Sequence, residues 1–428
     1  MVEINAERLL SDLYELRAMG AYKSGVHRPT LSDEDMRSRH WLVDKLNAFG
    51  HRAEIDGIAN IVGWAPGSGP HVLAGSHIES QNHAGWLDGA LGVIYALEAA
   101  RAVAEDGSMG DRGVDVIAFA DEEGHFGNFF GSYSWLGELD DAMIDAAVDR
   151  TRGESLRDAL ARCELADRAR LRMPEGRYSA FLEAHIEQGD WLEANGLTVG
   201  VVTSIVAIWQ SKIIIDGTQN HAGTTRMAIR RDAGVAATRL LQTIEREFPA
   251  VSAERSVWTA GRITLEPGAP SIIPGRAEIL FQLRDADPVV LDRMQARLEE
   301  LVADEDATGP CDARLEIVSR SIPSVMDETV QAALSRAGDT HVPGKHTLMP
   351  SGAGHDAQNL ARYVPTGMLF VPSIGGVSHH WTENTSDDDI VAGAEQAADV
   401  AADAVIAVGD AVVEYSPYVF DWVAKQFE

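Results

Sequence analysis

The stretch VLAGSHIESQNHAGWLDGALGVIYALEAARAVAE, Val72–Glu105, decides the fold. Its first seven residues, VLAGSHI, form a short apolar run that reads as a buried strand. LGVIYALEAARAVAE (Leu91–Glu105) reads as the helix that follows it. A second apolar run, VDVIAFADEE (Val114–Glu123), then reads as another strand ending in acids. Strands alternating with helices predict an α/β sheet with helices on its faces. Ligands in such sheets collect beyond the C-terminal ends of the strands. Both polar clusters of this region fall there: His77, Glu79, His83 and Asp88 after the first strand, and Asp121–Glu123 after the second.

At 428 residues the chain is too long for one ordinary core, so two domains are expected. A composition of 45% hydrophobic and 24% charged residues is that of a soluble globular protein. The formal charge of −30 argues against nucleic acid or an anionic membrane as a partner. Cys163 and Cys311 are the two cysteines, which fits a reducing cytoplasm rather than a disulfide framework. MVEINAERLLSDLYEL at the start is a charged amphipathic helix without a signal-peptide run, and no window is apolar enough to span a membrane.

From about residue 209 the pattern changes. WQSKIIIDG is strand-like, DAGVAATRLLQTIEREF helical, and SVWTAGRITLEPGAPSIIPGRAEILFQLRDAD two strands around a Gly/Pro turn. PVVLDRMQARLEELVADE is a further helix and ARLEIVSRSI a last strand. That order is the ferredoxin-like β-α-β-β-α-β unit. After about residue 325 the α/β character returns, with GMLFVPSIGG as a strand and AGAEQAADVAADAVIAVGDAVV as a closing helix. The expected organisation is a large domain, 1–208 with 326–428, interrupted by a smaller inserted one, 209–325.

A histidine at a strand end followed by a carboxylate in a Gly-flanked turn, as in His77 and Asp88, suits a metal pair or a satisfied structural histidine. Adjacent glutamates past a buried strand, Glu122 and Glu123, are costly unless a cation or hydrogen bonds compensate them. EAHIEQG (Glu183–Gly189) and SIGGVSHHWTE (Ser373–Glu383) each put a histidine at the end of an apolar run. Several imidazoles and carboxylates on separate strands, with Asp88 able to bridge, match a pair of divalent ions. Such ligands suit zinc, with manganese, cobalt and nickel also compatible.

The segments GSHIES…WLDG, DEEGHFGN, EAHIEQG, NHAGTTRMAIRRDA, SIIPGRAEILFQLRDAD, SGAGHDAQ and FVPSIGGVSHHWTENTS follow one another over nearly the whole chain. In this order they resemble the carbamoylase/ureidohydrolase branch of the dinuclear-metal amidohydrolases, related to zinc exopeptidases. The resemblance implies an α/β zinc-exopeptidase-like catalytic domain with an inserted ferredoxin-like α+β domain that serves as dimerisation surface and lid. It assigns His77, Glu123, His185 and His379 as terminal ligands of two metal ions, Asp88 as their bridge, and Glu122 as the general base. It makes His221 an oxyanion donor contributed across a homodimer. Arg284 becomes the residue that binds the substrate carboxylate. Gln188 and the loop at Gly352 become further substrate contacts. His355 and Asp356 fit either that loop's contacts or a structural hydrogen-bonded pair. The activity implied is hydrolysis of a linear amide or ureido C–N bond in a small carboxylate-bearing molecule. A peptidase or aminoacylase of the wider superfamily, and a non-catalytic binding protein, are the alternatives.

The chain also departs from that family. Glu79 stands where an aspartate usually orients the first histidine ligand. Gln81-Asn82-His83-Ala84-Gly85-Trp86 replaces a short Pro/Gly-rich turn, and Arg226 replaces a proline. Ser271 replaces an asparagine that often helps hold the substrate carboxylate, and His380 and Trp381 replace smaller residues and proline. His125 adds a polar group beside the glutamate pair. Conserved ligands in altered surroundings predict a retained reaction on a changed substrate, with His83, Ser271 and Trp381 among its contacts.

Overall fold

The computed structural model describes residues 2–107, 110 and 112–407. The chain divides into two compact units, Met1–Thr203 with Val325–Glu428, and Ser204–Ser324.

The first unit is built on a nine-stranded mixed sheet. At its centre Thr366–Val371, Tyr178–Ile186, His71–His77 and Val114–Phe119 lie side by side and parallel. His71–His77, Val114–Phe119 and Thr366–Val371 are buried at every residue. Such strands must be mostly apolar on both faces, which explains why VLAGSHI and VDVIAF show no alternation. Antiparallel strands flank the centre: Ile61–Trp64 and Arg52–Ile55 on one side, Val199–Ile205 on the other.

The helix Ala90–Asp106 starts immediately after the polar loop and packs on the sheet. Gly92 permits the close approach, because a Cβ there would lie 2.2 Å from the Ala184 carbonyl oxygen and 2.9 Å from Ser76 Cβ. Helix Asp387–Ala407 packs beside it. The closing helix was expected over 392–413. It begins one turn earlier, where Asp387, Asp388 and Asp389 suit a helix N-terminus, and residues from 408 lie outside those described.

In the second unit four antiparallel strands stand in the order Val257–Glu266, Arg276–Asp285, Ala207–Asp216, Asp312–Arg320. Helices Ala233–Glu247 and Pro288–Thr308 supply Leu240 and Leu298 to a core with Ala277, Ile279, Phe281 and Leu283. Asp232 caps the first helix through the Gly234 and Val235 N–H groups, and Asp287 with Pro288 opens the second. The Gly/Pro turn carries a third short strand, Ile272–Ile273, which pairs with Asn220–His221. Two residues are too few for a periodic pattern, so this pairing had no signature in the sequence. Among the described residues no helix is long and apolar enough to cross a membrane, and Cys163 and Cys311 are free thiols.

Candidate metal centre

The parallel register brings four chain segments to one edge of the large sheet. His77 ends its strand opposite Phe119, and His185 lies opposite Phe370. The strand expected to run to Glu123 stops at Phe119, so Asp121–Glu123 sit in the turn beyond it. Asp88 returns to the same edge in a turn held by Glu383, whose Oε1 accepts the N–H groups of Leu87 (3.2 Å) and Asp88 (3.1 Å). Gly89 makes room for the His77 ring, since at its φ of +65° a Cβ would lie 2.3 Å from His77 Nε2. His83, Asp121, Gln188 and His379 all adopt left-handed φ between 53° and 61°. Such conformations are unfavourable for non-glycine residues and concentrate at functional sites. Asp121 is held there by N–H donors from His125 (2.8 Å) and Gly127 (2.7 Å).

Two ligand groups result: His77, Asp88 and His185, and Asp88, Glu123 and His379, each with its ligand atoms within 4.8 Å of one another. Asp88 belongs to both. Its Oδ1 lies 3.1 Å from His185 Nε2 and 3.7 Å from His77 Nε2, and its Oδ2 lies 3.3 Å from His379 Nε2. Glu123 Oε2 is 3.7 Å from His379 Nε2. His77 and His185 turn Nδ1 to the carbonyls of Glu79 (3.2 Å) and Ile186 (2.9 Å), which leaves Nε2 of each toward Asp88. This is the tautomer that offers a lone pair to a metal.

The electrostatics also fit cations. Burial and then the charges of Glu123, Asp356 and Asp88 push the Glu122 carboxyl well above its ordinary range. Burial and Asp88 push Glu123 up to about 8. For His185 burial works in the opposite sense, but the Asp88 hydrogen bond and charge win and raise it to about 9. Asp88 resists its own burial through His185 and His379 and stays well below the usual carboxylate range. Cations would offset the burial of the Glu122 and Glu123 carboxylates, and three-donor groups would leave positions for water or substrate on any ions they held.

Glu122 lies outside both groups, with Oε2 3.5 Å from His77 Nε2. Glu79 was expected to orient the His77 ring with its side chain. Its backbone carbonyl does so instead, and its carboxylate, 4.0 Å from Nδ1, joins buried Arg39 (2.7 Å) to the Glu122 N–H (2.8 Å).

Gln188 Nε2 lies 3.0 Å from Asp88 Oδ2 and 3.3 Å from His379 Nε2. The Gly352 loop is tied to the site through His355, whose ring packs edge-on to His185 and bonds Ser351 Oγ at 3.0 Å. His83 stacks on His27 and lies against Tyr22, and Trp381 lies under the Lys23 ammonium at 4.1 Å. Trp86, one of the unusual turn residues, is core: it is buried, stacks on Tyr14 and bonds Asn384. His125 is also buried, with its ring on Thr30 Oγ1. His221, Ser271 and Arg284 lie in the second unit. There His221 Nδ1 accepts the N–H groups of Gly223 (3.0 Å) and Thr224 (3.1 Å), and the Ser271 carbonyl accepts from Ala222 (2.9 Å). Arg284 donates to Gln282 Oε1 at 2.7 Å. Glu383 and Arg39 were not singled out from the sequence, and Gln81 was noted as a departure from the family's turn without its hold on Glu123. Only Gln81 and Glu383, inside quoted motifs, offered a signal.

Residues 67–403 match the model of the peptidase family M20/M25/M40. The chain belongs to this family. Members work with a dinuclear metal site. An N-carbamoyl-L-amino-acid amidohydrolase of Paenarthrobacter aurescens is 33% identical over 91% of this chain and 96% of its own length. A ureidoglycolate hydrolase of Arabidopsis thaliana is 31% identical over 92% of this chain and 85% of its own. The crystal structure of an amidase of the hydantoinase/carbamoylase family from Burkholderia phymatum superposes with a TM-score of 0.88 at 42% identity, covering 95% of this chain and 99% of that one.

The raised His185, His379 and Glu123 hold protons in the metal-free protein near neutrality, and a cation must displace them. Zinc added to stripped protein at pH 7 should therefore release protons, and apparent affinity should rise with pH up to about 9. Calorimetry in buffers of different ionisation enthalpy checks this; affinity that is flat with pH would contradict it.

Proposed function

We propose that this chain is a metal-dependent amidohydrolase that cleaves a linear ureido or N-acyl C–N bond in a small carboxylate-bearing molecule. The observation that carries this reading is Asp88 shared between two ligand groups, with Glu122 beside them and in neither. A ureido substrate would release ammonia and carbon dioxide, and an N-acyl amide an acid and an amine. The carbamoylase and ureidoglycolate hydrolase relatives favour this over the peptidase and aminoacylase reading. A non-catalytic role leaves the retained Glu122 and ligand groups without a purpose.

Two divalent ions, zinc by its taste for imidazole and carboxylate with manganese, cobalt or nickel also suited, supply Lewis acidity toward the scissile carbonyl and acidify water. His77, Asp88, Glu123, His185 and His379 would hold them. Two cations beside it would oppose the upward push of burial and keep Glu122 ionised, so that it takes the proton of the attacking water on a carboxylate oxygen and returns it to the departing nitrogen. Glu79 fixes the Glu122 backbone from one side, so the base is aimed by its own main chain.

The carboxylate of the substrate goes to Arg284, whose planar fork suits it, with Ser271, Gln188 and Gly352 as further contacts. His83, stacked on His27, and Trp381, under the Lys23 ammonium, would line the path of the variable substrate group. His221 acts as the oxyanion donor from the second subunit of a homodimer. The two N–H groups on its Nδ1 support that role, since they make Nε2 the proton-bearing donor. Such donors contribute about 2.7–4 kcal/mol to the transition state. The second unit would then carry the dimer interface. Two free thiols and the acidic surface fit a cytoplasmic setting.

Glu122→Gln should keep both ions and lose about 10²–10⁴-fold in kcat on a ureido or N-acyl substrate. Full activity at full metal content would remove Glu122 from the mechanism. Mixing His221→Ala with Glu122→Gln protein should restore activity in hybrid dimers, because one site then holds both intact residues. No rescue after demonstrated subunit exchange would place His221 within its own chain's site or outside catalysis.

A further inference from the structure

Gln81 makes more hydrogen bonds to a ligand residue than any step above requires. Its backbone N–H donates to Glu123 Oε1 (3.1 Å), and its Nε2 donates to Glu123 Oε2 (2.7 Å) and to the Glu123 carbonyl (2.9 Å). Main chain and both carboxylate oxygens of one glutamate are thus fixed by one neighbour. The other polar atom of the Gln81 side chain, Oε1, accepts from the Arg150 guanidinium. Arg150 sits on a short loop anchored independently. Its N–H donates to the His125 carbonyl (2.9 Å), Asn82 Nδ2 donates to Thr151 Oγ1 (2.9 Å), and Asp149 Oδ1 accepts from the N–H groups of Thr151 (2.7 Å) and Arg152 (2.8 Å).

The two ligand groups differ in what else holds them. His77, Asp88 and His185 are buried, and both rings are locked by backbone carbonyls. His379 has a side chain 51% exposed and lies in a loop after the sheet. The second group therefore has two buried ligands beside the exposed His379: Asp88, which it shares with the first group, and Glu123, which Gln81 holds. A glutamate that is already ordered loses less rotational freedom when it ligates an ion. Each Glu123 oxygen keeps a further lone pair for that ion while accepting from Gln81.

We propose that Gln81, gripped by Arg150, is a positioning residue that sets the affinity of the Asp88–Glu123–His379 group for its cation and leaves the His77–Asp88–His185 group unaffected. The proposal rests on the dinuclear reading given above. Surface residue Arg150, remote in sequence from every ligand, is thereby coupled to one metal and not the other.

The test is cobalt(II) titration of the metal-stripped full-length chain, followed by calorimetry and by the visible absorption of bound cobalt, with His379→Ala to identify which step belongs to the second group. Gln81→Ala and Arg150→Ala should each weaken that step by about 10–100-fold. The other step and the Tm of the stripped protein should stay at wild-type values. Arg150→Lys, which keeps a donor for Gln81 Oε1, should restore much of the loss. An unchanged second step in both variants, or equal weakening of both steps, overturns the role of Gln81 while leaving two ions in the wild type. Uptake of only one ion by the wild type overturns the dinuclear reading and this proposal together.

Discussion

One carboxylate organises the catalytic unit. Asp88 divides its oxygens between His185 and His379, and this is possible only because three parallel strands and a returning turn end at the same level. Its position is enforced from behind by Glu383 on the backbone and by Gly85 and Gly89, where any Cβ would collide with Glu383 or with His77. Ser378 Oγ spans Asp88 and Glu383 at 3.2 and 3.3 Å, so the loop bearing His379 is tied to the same carboxylate. Burying this much negative charge is unfavourable without cations.

The reacting edge is supported by polar contacts that reach into the hydrophobic interior. Arg39 is fully buried and pairs with Asp35 at 3.0 Å and Glu79 at 2.7 Å. Through the other oxygen of Glu79 this charge chain ends on the backbone of Glu122. Removing one member of a buried ion pair strands the other, commonly at 3–5 kcal/mol, so the aim of the base and the stability of the unit are linked. Glu122 and Glu123 are consequently fixed by the same loop, the first through Glu79 and the second through Gln81.

What was legible in the sequence follows from what leaves a local mark. His77 and His185 sit at strand ends, and Asp88, Glu123 and His379 in the turns and loop beyond strands, where an apolar run breaks into polar residues; the structure brings all five together in two groups that share Asp88. The strand–helix alternation placed the sheet correctly, apart from the acids drawn into the second strand, which lie in a turn with Asp121 at positive φ. The true contacts of Glu79 were hidden because its partner, Arg39, is distant in the chain and carries no motif. Trp86 stood out as an unusual residue in a metal-site turn, yet its ring packs into the core with Tyr14. Departure from a family pattern marks a change, and only the fold tells whether that change faces substrate, as a loop residue can, or the interior.

The central claim is that Asp88 bridges two ions. Anomalous scattering from crystals grown with zinc measures this directly, at energies on either side of the zinc edge. Two zinc peaks per chain are expected, one among His77, Asp88 and His185 and the other among Asp88, Glu123 and His379, with the loss of both in Asp88→Ala. A single peak in the wild type, or two peaks that survive removal of the Asp88 carboxylate, would contradict it.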